Sequence, residues 1–508
     1  MGKKAREILL LVLVAAVLVF VLVDAGRFFL RVDLTRSRSF TISQVSRSLF
    51  RQIPERLHIT YYLSDALRSL SPTPGRVIDL LQEYAATSGG KVGITVVDPD
   101  KSGQAESARR FGILPQQIQV IQQNEQRVTE VYSGITIEYL DRFSSLPAVF
   151  DPDNLEYALG VGIRKVLAGR STRVGVVVGE PDKSFARDFD GLRSGLSRNF
   201  SLREFLPGAR IPPDADVILV FGGTGLSKAQ LRPIDEYVRN GGKALFAVKG
   251  IRLETAQTFS ASAVKKSPIL DMLESYGVRV DREMVLDRSC RNYRIPQEVS
   301  GQIRWETIGK YPPWVSIRAV NVSQANPITA NFLGLDLLWP SPLEAVAREG
   351  VSSEPLVLTT TAAWTMREPF VVDPYRVPQA GAEPSSSKNQ RVLALALRGS
   401  FPPAFAEGAP GKPTRMVVVG DDAFVTDLMQ FSDSLYNVLF IENAVLWLSG
   451  SADLLTIKAR APSEGKLDRI EDTRRRQRFM LASEIINVCA IPLLVLVFGL
   501  VRWLRRRE

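Results

Sequence analysis

Two uncharged apolar runs, one near each end, constrain this chain more than any other feature. Ile8 to Val23 is sixteen apolar residues without a break, and Ile485 to Val501 is seventeen residues without a charge. A helix that crosses a bilayer needs about 20 predominantly apolar residues. The first run continues through Phe28, Phe29 and Leu30, with Arg27 placed to snorkel. Its basic start, Lys3, Lys4 and Arg6, also fits a cleaved signal peptide, but Val23-Asp24-Ala25 is a poor cleavage site. The second run holds Asn487 and Pro492 and is followed directly by Arg502 and Arg505 to Arg507, a basic stop that a buried core helix would not need. The two runs predict membrane-spanning helices at 8–30 and 481–501, with cytoplasmic tails at 1–7 and 502–508.

The net charge of +10 suggests a nucleic-acid partner until it is located. Residues 1–7 and 24–38 each carry +2, and residues 473–484 and 502–508 each carry +3, so residues 39–472 are net neutral. The excess therefore lies where basic side chains meet lipid headgroups. A neutral body has no net attraction for a phosphate backbone, which argues against nucleic acid as a partner. Arg residues flank both ends of each run, so charge alone leaves the orientation open. An N-terminus that begins like an export signal favours cytoplasmic termini. The expected location is the cytoplasmic (inner) membrane, crossed twice, with the large domain periplasmic or extracytoplasmic.

The body, in a chain of 508 residues, reads as two α/β regions. Leu57 to Leu63 and Val92 to Val97 have strand patterns, and Arg76 to Tyr84 and Gln104 to Arg110 have helical ones. Gln117 to Ile121 reads as a further strand, and Arg127–Tyr132 with Ile135–Tyr139 as a hairpin turning at Ser133-Gly134. That order, over 39–150, is thioredoxin-like without a CxxC. Asn154 to Ala168 predicts an amphipathic helix. From 151 to 460 an α/β rhythm follows. Arg173–Gly179, Ala215–Phe221 and Lys243–Val248 are near-continuous apolar strands of the kind buried on both faces. Phe189–Phe200 suits a helix, and Ser227 caps another that Gly241-Gly242 ends. Such alternation predicts a doubly wound sheet. Residues 281–350, rich in proline, look like an irregular insertion, and 378–390 like a linker. Strands at Arg391–Leu397 and Arg415–Val419 and helices at Asp422–Gln430 and Asn437–Leu448 close the domain, before a basic juxtamembrane linker at 461–480.

Tests for chemistry mostly fail. Gly-Lys occurs six times, never followed by Ser or Thr, so there is no P-loop. His58 is the only histidine, which rules out multi-His metal sites and leaves a Ser-His-Asp triad little to work with. Cys290 and Cys489 make no CxxC, and no cofactor is implied. Two features remain as candidate ligand-binding residues. Gly222 and Gly223 follow a strand and could approach a phosphate, or form a plain turn. Asp421 and Asp422 follow another, at the carboxyl end where open α/β sheets bind ligands; the structural alternative is that Asp422 caps the next helix. Asp98 and Asp100, after the strand at 92–97, have the same alternative as turn residues.

At this point several short motifs, in order, resemble the GldG-like family of auxiliary components of ABC-type transport systems, named for a gliding-motility protein. Arg31-Val32-Asp33-Leu34-Thr35 and Thr41-Ile42-Ser43 look like the segment after the family's first span. Val97-Asp98-Pro99-Asp100 with Phe111-Gly112-Ile113 is similar to its thioredoxin-like part, and Leu155-Glu156-Tyr157 to the start of its second domain. Arg173–Gly179, Asp216–Gly222 and Gly241-Gly242-Lys243 look like its α/β core, whose fold is akin to class I glutamine amidotransferases. Arg415–Asp422 and Asn443–Gly450 resemble its closing strand and helix. The resemblance implies a non-catalytic subunit beside an ABC permease and a separate ATPase, with an exported body that binds a substrate or an envelope ligand. An amidotransferase would need a cysteine after a core strand, and Cys290 lies in the insertion. The competing expectations are a solute- or glycan-binding module at the cell envelope, and a hydrolase working through Asp421.

Overall fold

The computed structural model describes residues 42–458, except 123–124, 255–259, 300–301, 331, 378–388 and 433–435. Helix α1 (Gln44–Arg51) leads into strand β1 (Leu57–Leu63). Helix α2 (Thr73–Thr87) then carries the chain back to β2 (Val92–Val97), parallel to β1. Every β1 side chain except His58 is buried, as an apolar, β-branched run between two covered faces requires. Strands β3 (Ser133–Tyr139) and β4 (Arg142–Leu146) complete a mixed sheet in the order β2-β1-β3-β4.

The hairpin expected between 127–132 and 135–139 does not form. Glu125–Val131 pairs instead with Gln116–Gln122 in a separate two-stranded ribbon. Burial decides between the two pairings. Ile135 and Ile137 lie opposite Tyr61 and Ile59 and are fully buried there. The segment EQRVTEV is mostly polar and has little to gain from a core position.

The second sheet has nine strands among the described residues. Its parallel part comprises β5 (Thr172–Val178), β6 (Phe200–Glu204), β7 (Val217–Phe221) and β8 (Lys243–Ala247). Strand β9 (Val392–Gly399) runs antiparallel to β10 (Thr414–Val419), which lies parallel to β8. The parallel strands stand in the order β6-β5-β7-β8-β10. Strands β7, β8 and β10 bury side chains on both faces, which explains their unbroken apolar sequences.

Other expectations shift in detail. The helix expected at 189–200 shrinks to Asp190–Leu196, because Phe200 enters β6 as an edge strand. The region 281–350 is not irregular. It holds a long hairpin, Cys290–Val299 with Gln302–Arg318, and Gly334–Leu338 pairs with the latter. Its prolines obscure the strand pattern without preventing it. The linker expected at 378–390 falls largely outside the described residues.

One helix joins the sheets. Helix α3 (Leu155–Ala168) presents Leu155, Leu159, Ile163 and Val166 to the core of the first sheet and Tyr157 to the core of the second. Gly162 permits the approach: a Cβ there would stand 2.5 Å from the Ile137 side chain. Helix α4 (Lys228–Arg239) begins with a Ser227–Gln230 capping box and ends where Gly241 turns with φ 92°, as the sequence predicts. Helix α5 (Tyr436–Leu448) covers one face of the second sheet, and α6 (Ala452–Lys458) packs back on α3. A buried polar knot ties these together. Glu442 accepts from Tyr157 (2.8 Å), Asn199 (2.8 Å) and Lys458 (3.0 Å).

The membrane expectation is corrected. Among the described residues no helix is long and apolar enough to cross a bilayer. The longest, α2, has 15 residues, about 22 Å against a hydrocarbon core of about 30 Å. The most apolar, α5, turns Phe440, Ile441, Val445 and Trp447 into protein core. A mixed α/β fold is what stands. The two spans framing it, and the two-pass inner-membrane location drawn from them, are not part of it. The runs at 8–30 and 481–501 that suggested them lie outside the described residues.

Glu442→Ala strips Lys458 of its carboxylate at the joint and should cost about 3–5 kcal/mol of stability. Glu442→Gln keeps an acceptor for Tyr157 and Asn199 and should cost less. Urea denaturation measures both; an alanine variant within about 1 kcal/mol of wild type would remove the knot as a stabilising joint.

Candidate functional site

The parallel order β6-β5-β7-β8-β10 reverses direction between β5 and β7, and at such a point the outgoing loops part and leave a crevice. The loops beyond β5, β7, β8 and β10 gather there. Gly179 follows β5, and a Cβ on it would stand 2.3 Å from the Cα of Gly223, so the β5 and β7 loops touch backbone to backbone. Gly222 and Gly223 turn with φ 69° and 98°. The Gly223 N–H donates to Glu180 Oε1 at 3.1 Å. The amide that a phosphate would seek in such a loop is thus already held by a carboxylate of the same chain.

Beyond β8 stands Lys249, buried, its Nζ 2.7 Å from Asp422 and 3.7 Å from Asp421. It also lies 5.8 Å from the centre of the Trp339 ring. Asp421 is fully buried. One of its oxygens accepts from Ala423 N and the other from Leu338 N, each at 2.7 Å. Asp422 does not cap a helix: the helix expected at 422–430 is a 3-10 turn over Asp427–Ser432, and the Asp422 carboxylate faces Lys249 instead. Asp98, by contrast, takes the structural role foreseen for it and caps the short helix Pro99–Ser102.

Burial alone would depress the Lys249 pKa, but Asp422, Asp421 and Glu180 outweigh it and raise it. Burial pushes the Asp421 carboxyl up to about 6, with Lys249 opposing and Asp422 adding to the rise. Lys249 therefore stays cationic at neutral pH. It has no free pair for a Schiff base or for proton abstraction.

Above this ion cluster opens a cleft of about 400 Å³, with Glu180, Thr224, Lys249, Arg252, Trp339 and Asp422 on its walls. Trp339 holds φ 55°, a conformation that costs a bulky residue about 1–3 kcal/mol and clusters at functional sites. Its indole N–H donates to Tyr311 Oη at 2.7 Å. Of the four residues singled out in the sequence, Asp422 reaches the cleft wall, Asp421 lies beneath it, and Gly222 and Gly223 shape the loop behind Glu180. Lys249, Glu180 and Trp339 were missed. A lysine closing an apolar strand, as in Phe246-Ala247-Val248-Lys249, and a glutamate directly after Val178-Gly179 were the available signals.

The raised Asp421 pKa fixes a sign for pH dependence. The fold binds a proton that the unfolded carboxyl, near about 4, releases, so this group lowers stability as pH rises from about 4 through about 6. The difference in unfolding free energy between wild type and Asp421→Asn, followed from about pH 4 to about pH 8, should fall up to about 6 and then level. A pH-independent difference would remove Asp421 as the titrating group.

Comparison with known proteins fits the larger sheet and its cleft into a family. Residues 171–444, more than half of the chain, match the family described as an ABC-type uncharacterized transport system. Residues 36–138 match a domain of unknown function. A protein of Borreliella burgdorferi described as uncharacterized is 25% identical over 521 residues, covering all of both chains. A crystal structure of a ThuA-like protein from Bacteroides uniformis overlaps 55% of this chain and 91% of its own, at 11% identity and a TM-score of 0.29, too loose a match to bear on fold or function. The chain belongs to the ABC-type uncharacterized transport system family, as an auxiliary component of the GldG-like kind.

Proposed function

We propose that this chain serves its transport system without catalysing a reaction, docking on an ABC permease with its separate ATPase and taking a small polar ligand into the cleft. The family match over 171–444 is the observation that carries the docking reading. The cleft supports the ligand reading. Its charged groups are arranged for holding: Lys249 is committed to Asp421 and Asp422, and both Asp421 oxygens accept backbone N–H groups. No nucleophile stands beside a base among the residues on its walls. Glu180 occupies the Gly223 amide, which disfavours a phosphate at that position. The Trp339 face and the polar rim favour a second reading of the same cleft, a solute- or glycan-binding module.

A tag on the full chain should capture permease and ATPase together from a detergent extract of cells expressing all three. Capture of neither would overturn the docking reading. Thermal-shift screening of sugars, amino acids and short peptides tests the cleft. A hit should be lost in Arg252→Glu, which changes a wall residue without touching the buried ions, while a hit unaffected by that change places the ligand elsewhere.

A further inference from the structure

We propose that Arg398 and Arg415, laid side by side against the Trp447 ring, form a binding site for an oxyanion, a carboxylate or phosphate group carried by a ligand. The site is at the opposite end of β10 from Asp421, about 20 Å along the strand, and does not depend on the cleft.

The argument starts from register. Strands β9 and β10 are antiparallel neighbours, and Arg398 is paired directly with Arg415. Directly paired residues project on the same face, here the face that α5 covers. Trp447, in the last turn of α5, is 1% exposed. The two guanidinium carbons lie 4.9 and 5.3 Å from its ring centre. Like charges placed opposite each other across a strand pair repel and destabilise the pairing.

Several other arginines of the described residues are neutralised by carboxylates. Arg164 pairs with Asp453, Arg170 with Asp216 and Arg173 with Asp214. Among the described residues no carboxylate pairs with Arg398 or Arg415. Arg415 has partial relief, since it donates to the Trp447 carbonyl at 2.9 Å, where the helix end carries partial negative charge. Arg398 has none, and it is exposed. Burial and the neighbouring Arg398 both push the Arg415 pKa down, as an uncompensated second cation would.

The geometry suits an oxyanion. Both guanidinium groups lie against the Trp447 ring, Arg415 commits Nη1 to the Trp447 carbonyl, and the guanidinium fork matches two oxygens of a carboxylate or phosphate. Contact with the buried ring, and for Arg415 the bond to the Trp447 carbonyl, reduces the side-chain entropy lost on binding.

The test uses the full chain and two probes, inorganic phosphate and succinate, each added at constant ionic strength against chloride. At ten times its Kd a probe should raise Tm by about 1–2 °C in a chain of this length. Phosphate also stabilises proteins by exclusion from their surface, so the reading is the difference between wild type and Arg398→Gln. The rise should be lost in Arg398→Gln and reduced in Arg398→Lys, which keeps the charge without the fork. A larger rise with phosphate assigns a phosphate ligand, and a larger rise with succinate a carboxylate. Equal rises in wild type and Arg398→Gln, or none with either probe, would overturn the proposal. Titration calorimetry with the better probe should give the same ranking of the three proteins.

Discussion

A buried carboxylate that faces inward at the end of a strand organises the larger domain. Asp421 lies where β10 leaves the sheet. One oxygen takes the amide of Ala423, two residues on, and the other takes the amide of Leu338, from the β-rich region between β8 and β9. The link is repeated nearby: Ser341 Oγ accepts from Gly250 N, and Ser341 N donates to the Gly420 carbonyl. These bonds hold the 281–350 region against the carboxyl ends of the strands, and they place Trp339 over Lys249. A buried charge is stable only when paired and hydrogen-bonded. Lys249 supplies the pair, and Asp422 keeps the lysine charged.

The cleft follows from that arrangement. A switch point in a parallel sheet leaves a crevice by topology alone. Here its walls come from the loops after β5 and β7, the Lys249 loop after β8, Asp422 and Ala423 after β10, and Trp339 from the docked β region. The innermost amide, at Gly223, is already bonded to Glu180. The fold thus retains the geometry of a ligand site, while the groups at its floor are engaged with one another. The proposed ligand-holding role rests on that combination, and the family match on residues 171–444.

Helix α3 has a corresponding role between the two sheets. It gives one face to each core and joins the Glu442 knot through Tyr157. Movement of one sheet relative to the other must therefore either break a buried polar network or carry α3, α5 and α6 along. The two sheets are thereby held together by elements packed against both.

Much of the fold was legible in the sequence because its cues are local. The strands at 57–63 and 92–97, the buried strands of the parallel sheet, the Ser227 cap of α4 and the Gly241 turn all follow from periodicity, burial and cap chemistry within a few residues. Membrane-spanning helices were read from the same kind of local cue, and no described helix bears them out. What lay beyond the sequence was pairing at a distance. Whether 125–131 joined 133–139 or 116–122 was decided by which strand could bury its isoleucines against β1. Whether Asp422 capped a helix or met Lys249 was decided by two loops about 170 residues apart in the chain, closing on one another. The residue types of the candidate site could be read from the chain, but only the folded sheet, by bringing the ends of β5, β7, β8 and β10 together, determined which of them share a cleft.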